Sequence, residues 1–194
     1  MIPHALGFDF ESRPAAGLLP ASAWPLMAQP KPPETGPAKF AMAKEYRAIQ
    51  QSALKAQRKL LVSFADSMPE RLYRDRATPA QRSFSKQVHH IVSANLFIAN
   101  MFLTGRPYTD ADTTKVLNSR ADLKKCVTER YDVLDQMLTE QTDADRDVQV
   151  KFFGTMIPRW QVWDELNQHT TWTAGQTVAS FRNNGMAPPS FLFF

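Results

Sequence analysis

The sequence predicts an all-α fold: a four-helix bundle with one long crossover connection. Three observations carry this. Four segments place apolar residues every three or four positions, helix start and stop signals stand at their edges, and no segment shows convincing strand alternation. A chain of 194 residues is long enough to bury one sizeable core. With 43% hydrophobic and 22% charged residues it reads as a globular protein.

The order of elements follows from local signals. Residues 1–37 hold much of the proline, including Pro30, Pro32, Pro33 and Pro37, which forbids a continuous helix there. This tail is set apart from a bundle spanning residues 38–194. Ala21-Ser22-Ala23 after Leu18-Leu19 has the small-x-small pattern of a signal-peptidase site, whereas Asp9, Glu11 and Pro20 suit a solvated tail. These residues favour a solvated tail over a cleaved signal, and both an exported and a cytoplasmic protein are compatible with them.

The first helix is expected from Phe40 to Asp66, with Tyr46, Ile49, Ala53, Ala56, Leu60 and Phe64 as its inward stripe. Pro69 ends it by pushing Met68 out of helical geometry. Thr78-Pro79 marks the start of the second helix, with Thr78 as cap, and Gly105-Arg106-Pro107 marks its end. Along it His90, Ala94, Phe97 and Met101 form an inward stripe, and His89, rotated by about 100°, is assigned to the surface. Residues 108–118 read as a polar connection, longer than an antiparallel hairpin needs.

Ser119 caps a third helix whose buried face holds Leu123, Val127, Leu134 and Leu138. Cys126 lies on that face, and a single cysteine excludes an intramolecular disulfide. Thr142–Asp145 is turn-like, and Val150–Gly154 is a short apolar run packing under the bundle. The fourth helix is expected from about Ile157 to Asn184, ended by Gly185. The apolar end Phe191-Leu192-Phe193-Phe194 is expected to dock on the bundle or on a partner.

Composition narrows the function. A net charge of +4 without a dense Lys/Arg block gives no nucleic-acid signature, and no stretch is long and apolar enough to cross a membrane as a helix. Chemistry centres on histidine. On the fourth helix Val162, Leu166, His169, Thr173 and Gln176 share one face, which points to the core, and His90 on the second helix also looks inward. Two interior imidazoles suit either a hydrogen-bonded core pair or a metal site. Thr173, one turn beyond His169, is a poor ligand; Glu165, one turn before it, is the substitute carboxylate.

At these residues the chain resembles the DinB-like superfamily of four-helix-bundle proteins. The likeness runs from about Phe64 to Pro189. It is carried by Met68-Pro69-Glu70, Thr78-Pro79-Ala80-Gln81-Arg82-Ser83-Phe84, His90-Ile91-Val92, Ser119-Arg120-Ala121-Asp122-Leu123, Val150–Gly154, His169, Gly175-Gln176, Phe181-Arg182, Gly185 and Pro188-Pro189. The resemblance implies a divalent metal, nickel or zinc, held by one histidine of the second helix and an H-x-x-x-H pair of the fourth. Those positions fall on His90, His169 and Thr173, so one of three ligands is replaced. It further implies either a metal-dependent, thiol-transferase-type enzyme acting on a small molecule or thiol, or a metal-free binding or stress-associated scaffold. Either form is compatible with a homodimer.

Overall fold

The computed structural model describes residues 41–109 and 118–190, with side chains from Lys44 onward. The tail 1–37, residues 110–117 of the polar connection and the apolar end at Phe191–Phe194 lie outside the described residues. The elements in order are α1 (Ala41–Ser67), a 3₁₀ turn at Glu70–Leu72, α2 (Phe84–Ala99) with a wider final turn at Asn100–Thr104, and α3 (Arg120–Glu140). There follow the one-turn α4 (Asp143–Arg146), β1 (Gln149–Phe152), β2 (Thr155–Pro158) and α5 (Arg159–Asn183).

Side-chain pairs fix the direction of each long helix. Arg58 with Asp132 and Lys124 with Asp66 run α3 antiparallel to α1. Gln87 with Gln176 and Asn95 with Thr170 run α2 antiparallel to α5. Gln50 with Asp164 and Gln57 with Asn167 run α5 parallel to α1. It follows that α2 and α3, which pack side by side, are parallel. A parallel pair consecutive in sequence needs a connection along the whole bundle, which is the crossover the sequence predicts.

Four local expectations are corrected. Helix α2 begins at Phe84 and not at Thr78-Pro79. Pro79 sits instead in a turn closed by the Gln81 amide donating to the Thr78 carbonyl. The first amides of α2 donate to carbonyls of the preceding segment, Phe84 to Asp75 and Ser85 to Tyr73, so no Thr78 cap is needed.

The run Val150–Gly154 forms a β-hairpin with Thr155–Pro158, against the expectation of no strand. Its two-residue turn, Phe153-Gly154, has φ of 43° and 103°, as a tight hairpin with right-handed strand twist demands. Accordingly α5 starts at Arg159, and Ile157 and Pro158 belong to β2. On α1, Ile49 is 56% exposed, and buried Gln50 and Gln57 stand on the inward face.

The core has two characters. Where α1 and α5 end and α2 begins, Phe64, Phe84 and Phe181 are fully buried or nearly so. Their rings pack at 5.5 and 5.7 Å between centroids, with Tyr73 5.3 Å from Phe84. Burial of three such rings contributes several kcal/mol, at about 25 cal/mol per Å² of apolar surface. Towards the other end the interior is threaded with amides and hydroxyls. Cys126 is buried on α3, as the sequence suggests, with the Arg130 guanidinium against its sulfur.

Candidate functional site

The site lies where α2 faces α5. Antiparallel packing brings His90 against His169, with ring centroids 5.5 Å apart and planes nearly perpendicular. Both rings are half-buried. Burial is the main force holding the His90 imidazole in its neutral form; the positive charge of Arg82 and the two neighbouring histidines add to it, pushing its pKa down to about 4. His169 is lowered for the same first reason, with Arg82 second. At neutral pH the pair is therefore uncharged, able both to donate and to accept hydrogen bonds.

His169 is held by a partner. Its Nδ1 lies 2.8 Å from Asn95 Oδ1, and Asn95 Nδ2 donates to Thr170 Oγ1 at 2.7 Å. Asn95 is fully buried on α2, five residues beyond His90. Thr173 is buried one turn along α5 from His169, and its carbonyl accepts from Gln87 Nε2 at 3.4 Å. The same Gln87 amide donates to Gln176 at 3.0 Å, tying the exposed end of the predicted stripe back to α2.

Beside His169 runs an open groove of about 1060 Å³. Glu165, Gln168, His169 and Gln176 supply its polar lining; Ile98, Phe152, Phe153 and Trp172 supply the apolar part. Trp172 is 77% exposed and Phe153 69% exposed, far more than such side chains need to be in a folded bundle. Phe153 is held upright by edge contacts with Phe102 and Phe152 at 5.0 and 4.8 Å. A smaller cavity of about 250 Å³ lies between α1 and α5, lined by Gln57 and Thr170 among apolar groups. His169 borders the groove and not this cavity, so the groove is the one its chemistry can reach.

Two sequence-based assignments change here. His89 is buried, 8% exposed, with Ser93 Oγ 3.1 Å from its Nε2, so it is a satisfied interior histidine and not a surface one. Phe97 and Met101 are exposed although they share the His90 stripe, because α2 turns its wide apolar surface to both α3 and α5.

The residues present fit a divalent metal poorly. The neutral imidazoles are suitable donors, and the Asn95 contact at Nδ1 leaves Nε2 of His169 open, but the next position along α5 offers only a hydroxyl. Glu165 borders the groove with His169, its Oε1 accepting from Gln161 Nε2 at 3.5 Å. Among the described residues no three His, Cys, Asp or Glu side chains gather in one place.

The bundle and its histidines can be set beside known proteins. A family model described as the DinB superfamily matches residues 53–179, well over half of the chain. The chain belongs to the DinB superfamily. A DinB-like protein from Bacillus cereus ATCC 10987 has a similar crystal structure, with a TM-score of 0.56 and 19% sequence identity. The match covers 77% of this chain and 97% of that one, and at that identity it shows the shared fold. No curated protein sequence matches.

The comparisons leave the polar residues around His169 unassigned, and sequence reading passed over them too. Gln50, Gln57, Asn95 and Asn167 were not singled out, because one polar residue in an apolar stripe looks like noise. The available signal was the spacing of Gln50, Ala53 and Gln57, at intervals of three and four, on the inward face of α1.

Proposed function

We propose that this DinB-superfamily bundle binds a small organic molecule in the groove beside His90 and His169, and does so without a tightly held metal. The observation that supports it is a half-buried imidazole, His169, bordering a groove walled by two exposed aromatic rings, with His90 packed against its ring. The ligand that suits it carries a hydroxyl or thiol for an imidazole nitrogen and a flat apolar part for Trp172 and Phe153. A base with a pKa near 4 is too weak to abstract a proton efficiently at neutral pH, so His90 is read as a hydrogen-bonding group.

The test has two arms. Protein purified without a histidine tag is analysed for metal, and its melting temperature is measured with and without nickel or zinc; less than 0.1 equivalent of metal and no shift are expected on this reading. Stoichiometric metal that disappears in His169→Ala overturns the metal-free part. Ligand-observed NMR with a panel of small thiols and aromatic alcohols then tests binding, which is expected to vanish in Trp172→Ser and in His169→Gln.

The second reading is a metal-dependent, thiol-transferase-type enzyme, favoured by family membership and by Glu165 lying along the same groove as His169. In that case His90 and His169 would hold nickel or zinc, Glu165 would have to move towards them to complete the site, and the metal would supply Lewis acidity. Loss of stoichiometric metal in Glu165→Gln is the result that would establish it. Exposed Phe153, Met156 and Trp172 would also suit a second copy of the chain, which sedimentation at several concentrations would reveal.

A further inference from the structure

The polar interior is one connected chain. Asp164 Oδ1 accepts from Gln50 Nε2 at 2.7 Å. Gln50 Oε1 accepts from Asn167 Nδ2 at 2.6 Å, and Asn167 Oδ1 from Gln57 Nε2 at 2.8 Å. Gln57 Oε1 accepts from the Tyr131 hydroxyl at 3.3 Å. Thr170 and Asn95 stand beside the Tyr131 oxygen, each with a donor to offer it. Asn95 Nδ2 meets Thr170, and Asn95 Oδ1 faces His169 Nδ1. The path crosses α5, α1, α3 and α2, and most of its members are buried.

A chain of amides and hydroxyls has two possible senses, and which one is present is decided by an end that cannot reverse. Asp164 is that end, since a carboxylate only accepts. Gln50 must therefore turn its NH₂ to Asp164, leaving its oxygen for Asn167. The same logic turns Asn167 and then Gln57, and obliges the Tyr131 hydroxyl to donate to Gln57. The Tyr131 oxygen is then an acceptor, which takes the Thr170 hydroxyl proton and the Asn95 amide. Only Asn95 Oδ1 remains for His169.

We propose that Asp164 is a positioning residue that sets the tautomer of His169 through this chain, keeping the proton on Nδ1 and the lone pair on Nε2. The consequence for the site is that His169 presents an acceptor, not a donor, through its second nitrogen. Its preferred partner is then a hydroxyl, thiol or N–H group, and a bare carbonyl or carboxylate is disfavoured. Because the amides cannot pass a proton along, the chain orients and does not conduct. The inference concerns the free protein and stands whether or not the groove ligand is as proposed above.

Two-bond ¹H–¹⁵N NMR of full-length protein labelled at histidine reports which ring nitrogen carries the proton, with the His169 signals assigned by their loss in His169→Gln. A single Nδ1–H tautomer is expected at pH 7.5. In Asp164→Asn both senses become allowed, and the single-tautomer signature is expected to give way to a mixture. Combining Asp164→Asn with Asn167→Asp places a carboxylate further along the same chain, still accepting from Gln57, and is expected to restore Nδ1–H.

That rescue separates orientation from packing, since a merely structural role for Asp164 predicts no recovery. Should Asp164→Asn fail to fold, Gln57→Leu cuts the chain without burying a charge and carries the same expectation of a mixture. An Nε2–H tautomer in the unmodified protein overturns the proposal. So does an unchanged tautomer in a folded Asp164→Asn or Gln57→Leu protein.

Discussion

The aromatic end of the core and the hydrogen-bonded end are built from the same four helices but hold them in different ways. Phe64, Phe84 and Phe181 gain by contact area, which tolerates small shifts of one helix against another. Asp164, Gln50, Asn167, Gln57 and Tyr131 gain only when every donor finds its acceptor, so they admit few arrangements. A net hydrogen bond is worth roughly 1 kcal/mol, whereas orphaning a buried partner costs about 1–3 kcal/mol. The apolar end thus supplies most of the stability and the polar end fixes the register that places His90 against His169.

Substitutions can widen or close this contrast. The largest loss is expected at the apolar end: Phe181→Ala should cost about 3–5 kcal/mol in urea denaturation, by lost transfer energy and an unfilled cavity. Next is a gain. Thr173→His restores the third imidazole of the family pattern, and nickel at a hundred times its dissociation constant should stabilise that variant by about 2.7 kcal/mol. No nickel-dependent rise in its melting temperature would mean that the His90–His169 geometry is unsuited to metal altogether.

At the polar end Asn95→Leu, of similar shape, leaves His169 Nδ1, Thr170 and Tyr131 short of partners. It should cost about 1–3 kcal/mol despite adding apolar surface. A neutral or stabilising Asn95→Leu would show that the seam is not under tension and would dissolve the contrast. The smallest effect is on pH. Because the folded pKa of His90 is depressed, the unfolded chain takes up its proton first. The corresponding stability is whole above about pH 6.5 and lost as pH falls towards about 4. After allowance for solvent screening this is about 1–2 kcal/mol; His90→Gln should flatten the acid limb by that amount.

Much of the fold was legible because helices announce themselves by period and by their ends. Ser119 caps α3, with the Asp122 amide donating to its hydroxyl at 3.2 Å, and Gly105 and Gly185 adopt the left-handed backbone that stops α2 and α5. The hairpin was missed because its strands are only four residues long, too short for a period of two to stand out. That His90 and His169 both look inward was legible from their stripes; that they meet depends on α2 packing against α5. The burial of His89 was not legible, since it depends on how far α2 rotates towards α3, which is set by tertiary packing. The hydrogen-bonded seam was illegible for a related reason: a glutamine in an apolar stripe has meaning only when its partner on another helix is known.

The turn at Phe153 has a consequence for how this protein would respond to selection. A phenylalanine at φ 43° occupies backbone space that glycine or asparagine accepts more readily, at a cost of order 1 kcal/mol. Replacement by glycine or asparagine is the change that a search for thermostability alone would find. It would also strip an aromatic wall from the groove. If the groove takes the ligand proposed above, hardiness and ligand capture pull in opposite directions at one residue, and a library sorted first for heat resistance and then for binding should divide at position 153.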